Sequence, residues 1–310
     1  MTRLVALLGV VGISFSAIFV GLAGVPALTA TFYRMALAVP VLLAIATWQG
    51  AFSRGAATWS RAGVRFALMT GVVFALNVTV WHVNIGVAGA GLSTLMGNAQ
   101  VVVVGLVAWW LHGERPTAWM AVLLPVMLLA VALMSGVVGA PTTIQRPGLA
   151  ALLGIGTAVA NAGYLLSFRV ATRRLPNPLA ALLLLTGAAA VTTLLLAPTD
   201  PSFTFRVSAT AFAWLAALAV VSQVLGWLAI SPALRALPTL EVGVLLLLQP
   251  MLTVLWGALI FGERHTPWQW LGVAMLLAGV ALAQARGGTR SVPSRVAVER
   301  PAAAWAEGQK

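Results

Sequence analysis

Cysteine is absent from the 310 residues, which removes disulfides, thiol catalysis and Cys-ligated metals from consideration. Acidic residues number six, and charged residues make up only 8% of the chain, against about a quarter in a soluble domain. So little charge excludes an ordinary water-facing surface. Regular alternation of polar and apolar residues is missing too, which argues against a porin-type barrel with strands of about ten alternating residues. No HExxH or GxSxG occurs, and His82, His112 and His265 lack paired-ligand spacing. Neither a metal site nor a nucleophile elbow is indicated, and no cofactor is implied.

What the chain has instead is 61% hydrophobic residues and a mean hydropathy of +0.99. A hydrocarbon core about 30 Å thick needs about 20 apolar residues per helical crossing. Ten such runs fit, at 4–22, 27–48, 62–82, 90–111, 118–137, 148–170, 178–197, 207–230, 239–261 and 267–285. The first follows Thr2-Arg3 and has the outline of a signal peptide. Its opening, Leu4-Val5-Ala6-Leu7-Leu8-Gly9, recurs as Leu149-Ala150-Ala151-Leu152-Leu153-Gly154, which favours the first helix of a repeat. Beyond Arg286 the tail is rich in Gly, Ser, Pro, Ala and charge, a composition that predicts disorder.

The repeat is clearest farther along. Residues 100–133 match 249–282 without a gap at an offset of 149: Gln100 with Gln249, Gly113-Glu114-Arg115 with Gly262-Glu263-Arg264, Thr117 with Thr266 and Trp119 with Trp268. The expected fold is therefore an all-α integral membrane protein of ten transmembrane helices in two repeats, 1–140 and 141–285, with a cytoplasmic tail at 286–310. Five crossings per copy is an odd number, so the copies enter the bilayer from opposite sides. Inverted repeats of this kind let a transporter open to either side around one midplane site.

The net charge of +12 does not point to nucleic acid, because no segment joins a dense basic patch to a polar, aromatic-studded surface. Membrane orientation accounts for it. Loops rich in Lys and Arg stay in the cytoplasm, and with both termini inside the count is 14 basic residues in against 4 out, the four being Arg34, Arg146, Arg206 and Arg264. Trp48, Trp59, Trp109, Trp110, Trp119, Trp268 and Trp270 fall near run ends, where indoles anchor at the interface.

Polar side chains inside hydrocarbon are costly and are candidate lining groups. Gln100 and Gln249 lie about ten residues into their runs, roughly 15 Å deep at 1.5 Å per residue. Asn77 and Trp81 share a face of the third run, and Gln223 and Trp227 repeat the amide-then-Trp pattern in the eighth. Thr157, Asn161, Tyr164 and Phe168 share a face of the sixth, with Ser14 and Ser16 in the first. Trp256 lies two turns after Gln249. These residues describe a lining of amides, hydroxyls and rings without fixed charge, suited to a zwitterionic or neutral solute with an apolar part. As interhelical glue they would serve packing alone. Pro250, inside a run and beside Gln249, is the candidate hinge. The Glu-Arg pairs fall between runs, which fits helix-end or headgroup contacts.

The paired Gly-Glu-Arg ends, Arg34 followed by Ala36 and Ala38, and the Gln249-Pro250 step resemble the drug/metabolite transporter superfamily, EamA family, over about residues 4–285. The resemblance implies a carrier in the bacterial inner membrane, exporting amino acids or related metabolites from a cavity between helices one, three, four, six, eight and nine. The chain carries Gln249 where many members have Glu, and Val101 where Pro is often found. The first difference speaks against proton coupling at that position. The expectation is a metabolite exporter working by alternating access, possible as facilitated diffusion, in contact with lipid and able to act as a monomer. A multidrug or quaternary-ammonium exporter is the alternative, and a membrane-embedded enzyme lacks a nucleophile with a base beside it.

Overall fold

A computed structural model describes residues 2–50, 60–100, 118–139, 143–175, 178–230 and 239–287, together with 103 and 106. The described secondary structure is helical, with no strand among these residues. The helices are α1 (Thr2–Ser14), α2 (Ser16–Ala23), α3 (Ala27–Trp48), α4 (Arg61–Ala88), α5 (Ala90–Gly97), α6 (Ala118–Ser135) and α7 (Pro147–Arg174). They continue with α8 (Pro178–Leu196), α9 (Ala209–Ala217), which runs into a π-helical segment (Leu218–Gly226), then α10 (Thr239–Phe261) and α11 (Pro267–Gly287). Gly113-Glu114-Arg115, His112, Trp59, Trp109, Trp110 and the predicted tail beyond Gly287 lie outside the described residues, while Arg286 and Gly287, expected in that tail, close α11.

Local chemistry sets several boundaries. Pro26 stands before α3 with ψ of 146°, extended where a helix cannot begin. Ser60 caps α4 by accepting from the amide of Gly63 at 2.9 Å, and Ser208 caps α9 by accepting from Ala211 at 3.1 Å, each satisfying one orphan donor. Pro147 opens α7 at a position where its missing N–H costs nothing. Gly89, at φ +85°, ends α4 and starts α5 in a conformation that side-chain-bearing residues avoid.

Among the described residues six helical stretches are long and apolar enough to cross a membrane: Arg3–Ala23, Ala27–Trp48, Arg61–Ala88, Pro147–Phe168, Leu179–Thr199 and Ala209–Ile230. Shorter apolar helices cover Pro125–Ser135, Leu245–Phe261 and Pro267–Leu282. The first predicted run is two helices that meet at Phe15, and the eighth begins at Ala209, two residues later than expected. Of the fourth run the structure describes α5, the turn through Asn98 and Ala99, Gln100, and residues 103 and 106.

The two matching halves interleave. Helix α4 packs along α7 and α8, α3 against α8 and the π segment, α1 against the π segment and α10, α5 against α10, and α6 against α11. One apolar core gathers Leu92, Met96, Met127, Met134 and Leu276; another gathers Met35, Leu42, Phe74, Tyr164 and Leu185. Many large apolar side chains face outward, Leu195 at 73% and Leu259 at 68% exposure among them. Lipid, not water, is the solvent such a surface matches.

Candidate functional site

Helices α3, α4, α7 and the π segment converge on Arg34. The sequence placed this arginine at an outer end; it lies instead seven residues into α3, about 10 Å along the helix at 1.5 Å per residue, and is only 5% exposed. Its Nε donates to the side-chain oxygen of Gln223 at 2.9 Å. The guanidinium carbon lies 6.0 Å from the ring centre of Phe74 and 5.8 Å from that of Trp81, within reach of the negative ring faces. Among the described residues no carboxylate pairs with it. The expected charge-free lining is corrected here: a fixed cation stands at its centre.

Such a placement is expensive. An arginine at mid-membrane costs about 2.5–3.5 kcal/mol on insertion scales, and one hydrogen bond to a charged group returns about 1.5–3 kcal/mol. The Gln223 contact and the two rings therefore come close to offsetting the burial without a counter-ion.

Two of the predicted lining residues, Trp81 and Gln223, contact this arginine, and Tyr164 is linked to it through Phe74; Asn77 and Asn161 lie on the same two helices, α4 and α7. Asn77 donates through Nδ2 to Oδ1 of Asn161 at 3.3 Å, linking α4 to α7. Tyr164 packs its ring 4.5 Å from Phe74 and 5.6 Å from Phe168. Trp81 lies over the guanidinium, and Gln223 holds it. Several polar atoms here are buried without a hydrogen-bond partner: Oδ1 of Asn77, the hydroxyl of Tyr164 and Nε2 of Gln223. Unpaired buried polar atoms each cost about 1–3 kcal/mol unless a partner reaches them. Trp227 packs against the same apolar core as Phe74 and Tyr164.

Gln223 reaches Arg34 from the π-helical stretch. Its wider turn, i to i+5, re-aims side chains relative to an α-helix and recurs at functional sites. The stretch is tied to α1 by the Ser222 hydroxyl, which donates to the carbonyl of Gly12 at 2.8 Å.

Among the described residues no hydrogen bond joins Trp256, Gln100 or Gln249 to Arg34, although Trp256 packs against the same apolar core as Trp81. Trp256 donates through Nε1 to Oγ of Ser14 at 3.0 Å and stacks on Phe15 at 4.8 Å. Gln100 follows the end of α5 and has a buried, unpartnered Oε1. Gln249 is partly exposed, and its carbonyl accepts from Thr253 at 2.9 Å. Among the described residues no hydrogen bond joins Gln100 to Gln249. Pro250 lies within α10. His82, expected at a helix end, is 3% exposed within α4, where Nδ1 lies 2.9 Å from the Thr31 hydroxyl. Among the described residues no cluster of three metal-ligating groups occurs.

A cavity of about 130 Å³ lies beyond the C-terminal end of α4, lined by Val87, Gly89, Ile144, Glu263, His265 and others. Glu263 uses it as a helix cap: its carboxylate accepts from the amides of Ala90 at 2.6 Å and Gly91 at 3.2 Å. This Gly-Glu-Arg run thus makes a helix-end contact between α10 and α5.

Sequence and structure comparisons place these features in a family. A search of curated proteins found no match. A solved structure titled "Crystal structure of protein" superposes with a TM-score of 0.58 at 16% identity, covering 91% of this chain and 96% of that one, a likeness of fold alone. A sequence model described as the EamA-like transporter family matches residues 2–136 and 148–284, one match in each half of the chain. The chain belongs to the EamA-like transporter family, membrane transporters of small molecules.

Proposed function

We propose that this chain is a carrier of the bacterial inner membrane that exports small metabolites, foremost amino acids with aromatic or bulky apolar side chains. It has ten crossings in two inverted repeats, with both termini cytoplasmic, and works by alternating access about the cluster at Arg34. The observation that carries this reading is the buried guanidinium beside unpartnered amides, walled by Phe74, Trp81, Tyr164 and Phe168. Polar atoms without partners await a polar ligand, and the rings suit its apolar part. Interleaving of the two halves puts the cluster at their junction, where alternating access needs its pivot.

The quaternary-ammonium reading meets an electrostatic obstacle. A cation held about 6 Å from Arg34 would feel about 3 kcal/mol of repulsion at an effective dielectric of 20. Purified protein in liposomes loaded with labelled amino acids tests the function, with labelled tetraphenylphosphonium as the cationic arm. Efflux of leucine or phenylalanine above protein-free vesicles is expected. Efflux of the cation alone would assign the chain to drug export instead. A pH gradient that drives substrate accumulation would replace facilitated diffusion by proton coupling.

A further inference from the structure

We propose that Arg34 anchors a carboxylate of the transported solute, with Gln223 positioning the guanidinium for it. This rests on the carrier reading above and narrows it to solutes bearing an anionic group. The guanidinium is buried, and its recorded hydrogen bond runs through Nε to Gln223. The two terminal nitrogens form the fork that matches a carboxylate with paired hydrogen bonds. Among the described residues no acidic side chain fills that role. The nearest titratable groups on neighbouring helices are Tyr164 and His82, and neither is an anion in this setting; His82 faces Thr31 and the carbonyl of Ala27.

The surrounding atoms extend the match. Nε2 of Gln223, a buried donor without a partner, can serve the same carboxylate as the fork. Oδ1 of Asn77 is a buried acceptor without a partner, suited to an ammonium on the same ligand. The donors come from α3 and the π segment, the acceptor from α4. A ligand with acid and amine on one carbon would bridge both groups and lay its side chain towards Phe74 and Tyr164. Substrate binding would then supply a carboxylate counter-ion, which no acidic side chain provides among the described residues.

Gln223→Glu separates this role from a packing role. The new carboxylate would sit 2.9 Å from Nε and pair with Arg34 internally. It would raise thermal stability while competing with the ligand's own carboxylate. Ligand binding to detergent-purified protein is measured by calorimetry with two series: leucine, leucinamide, isopentylamine and 4-methylpentanoate, and phenylalanine with its corresponding amide, amine and 3-phenylpropionate.

In wild type the amino acids and the deaminated acids bind, while amides and amines bind at least about thirtyfold more weakly, the loss expected when one partner of a buried charge pair is removed. Gln223→Glu, folded and at least as stable, loses binding of every carboxylate. Arg34→Lys, which keeps the charge but not the fork, weakens calorimetric binding of the carboxylates by tenfold or more and, in the liposome efflux assay, raises KM more than it changes kcat. Amides that bind as tightly as parent amino acids, or a Gln223→Glu variant with unchanged carboxylate affinity, overturn the proposal while leaving the carrier reading intact. Binding of the deaminated acids without the amino acids sustains the anchor and removes the amino-acid reading. Binding of no carboxylate at all overturns both.

Discussion

Removing the carboxylate of Glu263 should loosen the contact between the two halves of the molecule at α5. That helix has eight residues and no acidic residue in its first turn, so two of its free amides, Ala90 and Gly91, take their acceptors from Glu263, 173 and 172 residues away. Loss of a capping acceptor costs about 1 kcal/mol. An anion at a helix N-terminus contributes about 0.3–1 kcal/mol when exposed and up to about 2 kcal/mol when partly buried, and this side chain is only 15% exposed. Glu263→Ala should therefore cost about 2–3 kcal/mol. Glu263→Gln keeps one acceptor oxygen and should cost about half as much. At about 2–4 °C per kcal/mol for a large domain, the melting temperature of purified protein should fall by about 4–12 °C for the alanine variant. The shift should persist in 1 M salt, because the contact is largely shielded from solvent. Equal melting temperatures for wild type and both variants would refute the cap as a source of stability.

Three further outcomes follow from the same region and from α10. Gly91→Ala would place a Cβ 2.9 Å from the Cα of Val254 and 3.3 Å from Oε2 of Glu263; backbone cannot yield as a side chain can, so a loss of about 1–3 kcal/mol is expected in the same melting assay. Burial lowers the pKa of His265 below its usual 6.5, with Glu263 opposing. The unfolded chain therefore takes up its proton first, and the stability from neutral His265 is complete above about pH 6.5 and lost as pH falls below it. His265→Gln should flatten the melting temperature between pH 5 and 7 relative to wild type; an unchanged slope would count against it. Pro250→Ala restores a helical amide in α10 and should change the transport rate more than substrate affinity in counterflow; equal effects on both would remove Pro250 as a hinge.

Much of the helical layout was legible because hydrophobic run length is a strong signal in a membrane chain. The run 27–48 became α3, Ala27–Trp48, and 239–261 became α10, Thr239–Phe261; Pro26 and the Pro238-Thr239 step mark their starts, and Gly262 the end of the second. What the runs could not carry is conformation inside an unbroken apolar stretch. Nothing in the composition of 207–230 separates the α-helical Ala209–Ala217 from the π-helical Leu218–Gly226, because Leu, Ala and Val tolerate both. The break at Phe15 is equally silent, since that residue remains in the right-handed helical region at φ −74° and ψ −7°. Spacing did foresee that Asn77 shares a face with Trp81 and Asn161 with Tyr164, and α4 and α7 bring those two faces together. It could not foresee which other helix each face would meet. Among the described residues Gln100 and Gln249, alike by repeat, form no hydrogen bond with each other or with the amides that do pair.

Arg34 shows how one misplaced residue can change the chemistry of a site. Counting basic residues by loop assumes that an arginine near the start of a run belongs to the water side. Pro26 carries the contrary signal: if the helix begins at Ala27, then Arg34 is two turns inside it, beyond easy reach of the headgroups for a side chain that turns towards α4 and the π segment. Only tertiary packing decides that turn, because Gln223 lies 189 residues away in sequence. Moving Arg34 out of the external count changes it from 14 against 4 to 14 against 3, and the count by loop still favours cytoplasmic termini. The lining changes more. Amides and rings without charge would accept almost any small solute by shape, whereas in the proposed site a guanidinium held by an amide would select by sign, favouring a solute with an anionic group over an otherwise similar cation.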